Sequence, residues 1–178
     1  IASKYILKDV RLYESIDKIE YYYHEYMGNR FHIIFIPGIW EYEMIESWMR
    51  GSLYAGDWSI GAGDYEPYEG RRDYASSVTG AYYAARLAVA EHLQGRRRQA
   101  KVLIYREITP EYKLPLGVWV IREAVRHALY KKPTIFESID ETLKYVNQRT
   151  QMKEWYRRSK ILSNLKHQRK LEDFLENR

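Results

Sequence analysis

Phe31-His32-Ile33-Ile34-Phe35-Ile36 is a short, almost continuous apolar run closed by Pro37-Gly38. A run of this length bounded by turn residues reads as a strand buried on both faces. Immediately before it stands Gly28-Asn29, and both residues tolerate positive φ, so the pair predicts a hairpin turn linking 31–36 to the Tyr- and Ile-rich stretch 16–27. A second strand run, Lys101-Val102-Leu103-Ile104-Tyr105-Arg106-Glu107-Ile108, ends at Thr109-Pro110. Around these strands the pattern changes period. Residues 74–94 are helical in spacing, Pro110 and Pro115 bracket a turn before a helix to about residue 130, and Ser138 with Glu141 forms a capping box that opens another helix. Residues 41–50 place Tyr42, Ile45, Trp48 and Met49 on one side of a short helix, which would leave Glu43 and Glu46 on a solvated face. Residues 4–13 alternate loosely, and 51–72, rich in Gly, Asp and Tyr, read as one long loop. The sum predicts an α+β fold: a mostly antiparallel sheet with packed helices and an extended helical C-terminal tail. The division is an α+β core over 1–150 and a basic helix with a tail over 151–178.

The chain has 178 residues, 46% hydrophobic and 30% charged, which excludes a disordered chain. No apolar run approaches the ~20 residues of a membrane-spanning helix, so no membrane partner is expected. With no cysteine, disulfides and cysteine zinc sites are excluded from this sequence. A formal charge of +5 permits a local nucleic-acid-binding patch without requiring one. The first residue is Ile1 rather than Met, from which a missing N-terminal part is expected.

The tail reads Gln168-Arg169-Lys170-Leu171-Glu172-Asp173-Phe174-Leu175. Leu171, Phe174 and Leu175 stand at i, i+3 and i+4, so one helical turn gathers them into a three-pronged apolar plug, with Gln168 placed to hydrogen-bond beside it. This is the pattern of a PIP motif, the peptide that docks on a sliding clamp. Leu175 stands where many such peptides carry a second aromatic. The plain alternative is an amphipathic helix end packed on its own domain.

Residues 70–76 (Gly-Arg-Arg-Asp-Tyr-Ala-Ser), 80–88 (Gly-Ala-Tyr-Tyr-Ala-Ala-Arg-Leu-Ala), Arg98-Gln99-Ala100, Arg106-Glu107-Ile108, Pro110-Glu111-Tyr112, Pro115-Leu116-Gly117-Val118-Trp119 and Arg122-Glu123 together resemble the archaeal Nre family of DNA repair proteins. Gly28-Asn29-Arg30 through Trp48 resembles that family's pattern as well. The resemblance implies a role in the response to DNA damage and a C-terminal motif that binds the sliding clamp PCNA, which falls here on Gln168, Leu171, Phe174 and Leu175. It also implies a cytoplasmic, nucleoid-associated place in the cell. Many members carry an N-terminal Cys-rich segment that has no counterpart in this sequence.

Several side chains invite a chemical reading. Arg86 sits alone in the apolar stretch 74–90, and a buried guanidinium needs an acid or an anion. Glu107 and Glu111 are its candidate partners. A pocket of Arg86, Arg106, Glu107 and Arg122, edged by Tyr82 or Tyr112, would leave surplus positive charge for a phosphate. These four are the candidate catalytic residues, with structural ion pairs as the alternative. Asp64, Glu107 and Glu111 could hold Mg²⁺ as a nuclease requires, though their spacing matches no nuclease motif and scattered surface acids are the simpler reading. Glu123 and His127 share a helix face at i, i+4, a spacing that more often stabilises a helix than binds a metal. No metal site and no cofactor are expected otherwise. Arg71 and Arg72, with Arg96-Arg97-Arg98, are candidate DNA-binding residues, set against an ordinary solvated loop. The expected function is that of a DNA repair protein recruited by the clamp. The alternatives are a metal-dependent nuclease or base-processing enzyme, and a scaffold domain that does not bind DNA.

Overall fold

The computed structural model describes residues 2–114 and 116–176, with side chains described as far as Gln168. Among these residues six strands form one sheet: β1 (Ile19–Tyr26), β2 (Asn29–Ile36), β3 (Glu41–Trp48), β4 (Ile60–Glu66), β5 (Lys101–Ile108) and β6 (Thr134–Phe136), in the order β4-β3-β5-β2-β1-β6. Helices α1 (Ala2–Val10), α2 (Thr79–Arg96) and α3 (Trp119–Leu129) cover one face. Helix α4 (Ile139–Arg149), a 3₁₀ turn at Trp155–Arg158 and helix α5 (Lys160–Glu176) cover the other. None of the described helices is long and apolar enough to cross a membrane.

The strand runs at 31–36 and 101–108 lie side by side at the centre, antiparallel, with Ile33 opposite Ile104. Alternation sends Ile33, Phe35, Val102 and Ile104 to the α2 face, and Ile34, Ile36, Leu103 and Tyr105 to the α5 face. Both faces are covered, which is why 33–36 and 102–104 carry no polar residue. The β1–β2 hairpin forms as expected, but its turn sits one residue earlier than Gly28-Asn29. Met27 (φ 47°) and Gly28 (φ 75°) occupy the left-handed positions, and Tyr26 pairs with Asn29.

Three expectations are overturned. Residues 41–50 are not a helix: Glu41–Trp48 is strand β3, buried on both sides, whose Tyr42-Ile45-Trp48 spacing mimics a helical stripe. The long loop 51–72 contains strand β4, which completes the sheet beside β3. Residues 2–10 are helix α1, and Leu7 and Val10 enter the core. The sheet is also mixed rather than mostly antiparallel. After β4 the chain crosses the sheet in α2, whose Arg86 meets Glu66 on β4 and whose Arg96 meets Glu20 on β1. It then re-enters beside β3 in the same direction, so β3 and β5 pair in parallel, with Tyr42 opposite Val102. Ser138 caps α4 as expected: its Oγ accepts the Glu141 N–H at 3.2 Å.

Candidate functional site: a cationic cleft and the root of the last helix

The buried face of α2 brings Arg86 against β4. Its Nε and Nη2 donate to the two carboxylate oxygens of Glu66 at 2.7 Å each, and Nη1 donates to Ser3 Oγ at 2.6 Å. Burial alone would lower the guanidinium pKa, but the bonds and charge of Glu66 outweigh it and the pKa is raised. Glu66, and neither Glu107 nor Glu111, is therefore the partner of Arg86. The same carboxylate also accepts the Trp40 indole N–H at 3.3 Å and the Tyr82 hydroxyl at 3.1 Å. Burial and the charge of Glu66 push the Tyr82 phenol far up, so it stays a hydrogen donor.

A second guanidinium, Arg11, approaches Glu66 at 3.5 Å from the end of α1. It lies over the Tyr68 ring, 5.5 Å from the centroid. Its Nε is buried and finds no acceptor among the described residues. Gly70 (φ 92°) turns the β4–α2 loop past Arg11, a conformation that favours glycine. Beyond it Arg71 is fully engaged: it pairs with Asp64 at 3.1 Å and donates to the carbonyls of Tyr65, Asp73 and Tyr74. Asp64 in turn accepts the backbone N–H groups of Ser76, Ser77 and Val78 ahead of α2. Those bonds and Arg71 overcome the effect of burial and hold its carboxyl below the usual range. Arg71 is thus a clasp for the loop. Arg72 is exposed. Between α1, this loop and α2 lies an open cleft of about 470 Å³ whose walls include Lys4, Arg11, Arg72 and Arg86.

Arg106 and Glu107 stand on opposite faces of β5, as adjacent strand residues must. Arg106 donates to Glu46 at 2.6 Å and to Asn29 Oδ1, and is flanked by the rings of Phe31, Trp48 and Tyr112. Glu107 accepts the backbone N–H groups of Gln151 and Met152 and the Arg30 guanidinium. Arg122 is on the surface beside Glu123 at 3.2 Å. The four residues expected to share one pocket are therefore spread over both faces of the sheet, and each already has a partner. Glu123 is likewise committed to Arg122 and Arg126, and His127 stacks on His24 at 5.2 Å. Asp64, Glu107 and Glu111 do not form a carboxylate cluster, and no group of three potential metal ligands occurs among the described residues. Of the Arg96-Arg97-Arg98 run, Arg96 is tied to both oxygens of Glu20 at 2.5 and 2.7 Å, Arg97 is the left-handed C-cap of α2, and Arg98 reaches Glu14 at 3.9 Å.

Glu43, expected on a solvated helix face, is buried beneath the start of α5. It accepts the Ser159 hydroxyl at 2.6 Å and the N–H groups of Lys160 and Ile161 at 2.9 and 3.1 Å. A carboxylate at a helix N-terminus meets the positive end of its dipole. Burial nevertheless leaves the Glu43 pKa raised, against the pull of these donors. Ile161 and Leu162 then anchor α5 in the core, and the helix carries the backbone of Gln168, Leu171, Phe174 and Leu175. Gln168 is exposed. The side chains of Leu171, Phe174 and Leu175 lie outside the described residues.

Fold and site together define a three-layer α+β domain with a cationic cleft on one face and a C-terminal helix rooted on the other. The family model described as "Archaeal Nre, C-terminal" matches residues 66–174, more than half of the chain, and "Archaeal Nre, N-terminal" matches residues 1–55. The chain belongs to the archaeal Nre family. It is 43% identical over 157 residues to "DNA repair protein NreA" of Archaeoglobus fulgidus, a match covering 87% of this chain and 39% of that protein. It is 42% identical over 148 residues to "DNA repair protein NreA" of Haloferax volcanii, covering 82% and 35%. It is 32% identical over 176 residues to "DNA repair protein NreB" of Archaeoglobus fulgidus, covering 97% and 44%. The chain thus spans roughly two fifths of the length of these relatives. No solved structure shows significant similarity to it. The segments matched by the two family models share one sheet here, because β3 from the first pairs with β5 from the second.

Proposed function

We propose that the chain is part of an archaeal DNA repair protein that is brought to DNA by docking its last helix on the sliding clamp PCNA. The observation that carries this reading is the spacing of Gln168, Leu171, Phe174 and Leu175 on α5. It is supported by relatives named as DNA repair proteins. A three-residue apolar plug on one helical turn fits a hydrophobic groove on a partner. Glu43 and the Ile161–Leu162 anchor hold the base of α5 in the domain, so a clamp bound to the end of the helix would hold the domain close to DNA. The charge pattern supports DNA contact by exposed cations that are not spent on internal ion pairs among the described residues, Arg72 above all. It favours an adaptor over a metal-dependent nuclease, since Asp64 and Glu107, two of the acids expected to bind Mg²⁺, serve as clasps for backbone N–H groups.

The test is titration of the whole chain with an archaeal PCNA ring. Micromolar binding is expected, equivalent to about −8 kcal/mol. Phe174→Ala removes one anchor and weakens it by at least ~2 kcal/mol, roughly 30-fold. If Leu171→Ala combined with Phe174→Ala binds as well as the parent, the helix is not a clamp peptide.

A further inference from the structure

The cleft between α1 and the β4–α2 loop has a charge arrangement that its own residues leave incomplete. Glu66 on the inner wall faces two guanidiniums, Arg86 and Arg11. Its oxygens are already taken up by two short bonds from Arg86, by the Trp40 N–H and by the Tyr82 hydroxyl. What remains for Arg11 is a single long contact at 3.5 Å, and its buried Nε has no acceptor among the described residues. One carboxylate cannot neutralise two guanidiniums, and buried N–H donors are normally matched. Lys4 and Arg72 add two more cations at the mouth of the cleft. Glu69 and Asp73 also line it, on its exposed side. The positive surplus is thereby confined to the inner wall, an arrangement suited to one compact anion rather than to a length of duplex. Tyr74 stands at the rim with 69% of its surface exposed, its ring tilted by 30° against Tyr83 at 4.5 Å. An aromatic face beside a cationic pocket suits a base attached to its phosphate.

We infer that this cleft binds the phosphate group of a nucleotide, with Arg11 as its inner ligand, Arg72 and Lys4 closing over it, and Tyr74 stacking on the base. The phosphate site stands independently of the clamp motif. The choice of a nucleotide over other phosphates rests on the DNA repair reading. Two sources share this chemistry, a free nucleotide and the phosphorylated end of a DNA strand.

The experiment is calorimetric titration of the whole chain with inorganic phosphate, with dAMP, and with a short oligodeoxynucleotide bearing either a 5′-phosphate or a 5′-hydroxyl. Phosphate and dAMP are expected to bind, and Arg11→Gln to weaken both by about tenfold, because it removes a charge-assisted hydrogen bond. Tyr74→Ala should weaken dAMP while leaving inorganic phosphate unchanged. Preference for the 5′-phosphorylated oligonucleotide over its hydroxyl form identifies a strand end as the ligand. Tighter binding of dAMP than of either oligonucleotide identifies a free nucleotide. Should Arg11→Gln fail to fold by circular dichroism, the exposed double variant Lys4→Ala with Arg72→Ala carries the test, with several-fold weakening expected. Absence of binding by the parent chain to both phosphate and dAMP overturns the inference, and so does equal binding by the parent and the folded variants. PCNA binding, measured in parallel, is expected to be the same in all of them, so failure of the cleft and failure of the clamp reading are told apart.

Discussion

Arg86 and Arg106 are both buried guanidiniums, and the fold puts both on the α2 face of the sheet. They meet different fates. Arg106 shares Glu46 with no other cation among the described residues, adds Asn29 and is enclosed by three aromatic rings. Arg86 shares Glu66 with Arg11 and lies on the wall of an open cleft. Their acid partners are four strand positions apart along β3, since Glu66 pairs with Tyr42 and Glu46 is on β3 itself, an offset of about 13 Å along the strand direction. A buried arginine therefore indicates a ligand site only where the cations outnumber the acids that face them. Where the count balances, the pair is part of the architecture.

The largest expected effects test this difference directly. Glu66→Gln should destabilise the chain by roughly 3–5 kcal/mol in denaturant titration, because two guanidiniums are deprived of their shared countercharge. Glu46→Gln should cost less, since it deprives one guanidinium of its countercharge rather than two. Added phosphate should restore part of the stability of Glu66→Gln and none of that of Glu46→Gln, because only the first site is open to an anion. Equal rescue of both variants, or of neither, would erase the distinction drawn between the two arginines.

The opposite face of the sheet handles a buried titratable group in a third way, by keeping it neutral. His32 is fully enclosed, with Nδ1 bonded to the Tyr21 hydroxyl at 2.9 Å and Nε2 without an acceptor among the described residues. Burial, helped by the charges of Arg30 and Arg149, pushes its pKa down from 6.5 to about 3. The sign follows from proton counting. Between pH 6.5 and 3 the unfolded chain binds a proton that the folded chain refuses, so stability is full above pH 6.5 and falls on acidification. Between pH 6.5 and 4.5, above the range where most carboxylates titrate, His32 should account for a loss on the order of 2–3 kcal/mol. His92, pushed down to about 4 chiefly by burial, adds a comparable loss over this interval, and His24, lowered by burial and by the charges of Lys131 and His127, acts in the same direction. Thermal unfolding of His32→Leu should show a flatter pH dependence over this interval, and an unchanged slope would mean that His32 is not held neutral.

These sites were legible in the sequence to different degrees. The central strands could be read because an apolar run buried on two faces has no competing explanation at that length. Strand β3 could not, because Glu41, Glu43 and Glu46 interrupt it. Their partners, Lys101, the start of α5 and Arg106, come from chain segments about 60 to 120 positions away. Only the tertiary fold makes those carboxylates buryable, so the helical reading of Tyr42, Ile45 and Trp48 looked the better one. Strand β4 was hidden by Gly61 and Gly63. Gly63 marks a close approach of backbone, since a Cβ there would sit 3.1 Å from the Met44 carbonyl oxygen, whereas one on Gly61 would meet the movable end of Arg158 at 2.7 Å. Arg86 could be singled out as a buried charge, but Glu66 could not be matched to it while 51–72 looked like loop. The cleft joins α1 to residues 66–86, a juxtaposition that no local pattern announces. The proposed clamp motif depends on none of this, since it is read from the spacing of one helical turn alone.

The three adjacent arginines at the end of α2 repeat the comparison with the smallest expected effects. Arg96 spends its charge internally on Glu20, bonding both carboxylate oxygens and the Tyr22 hydroxyl. Arg97 holds the helix end in the left-handed conformation, and Arg98 has a long contact to an exposed glutamate and donates to the Arg97 carbonyl at 3.3 Å. The run therefore does not act as one patch. On the proposed DNA contact, Arg96→Ala should lower stability while leaving the salt dependence of binding unchanged, because its guanidinium is held by Glu20. Arg97→Ala with Arg98→Ala should do the reverse. Stability should stay within about 0.5 kcal/mol of the parent, as for ordinary surface changes. The slope of log affinity against log salt should become shallower by roughly 0.9 for each phosphate that is no longer neutralised, at most about two for the pair. The measurement is DNA binding across a salt series for the two variants and the parent. A slope change in Arg96→Ala would mean that the Glu20 pair opens on DNA, and no change in the double variant would place the end of α2 outside the DNA interface altogether.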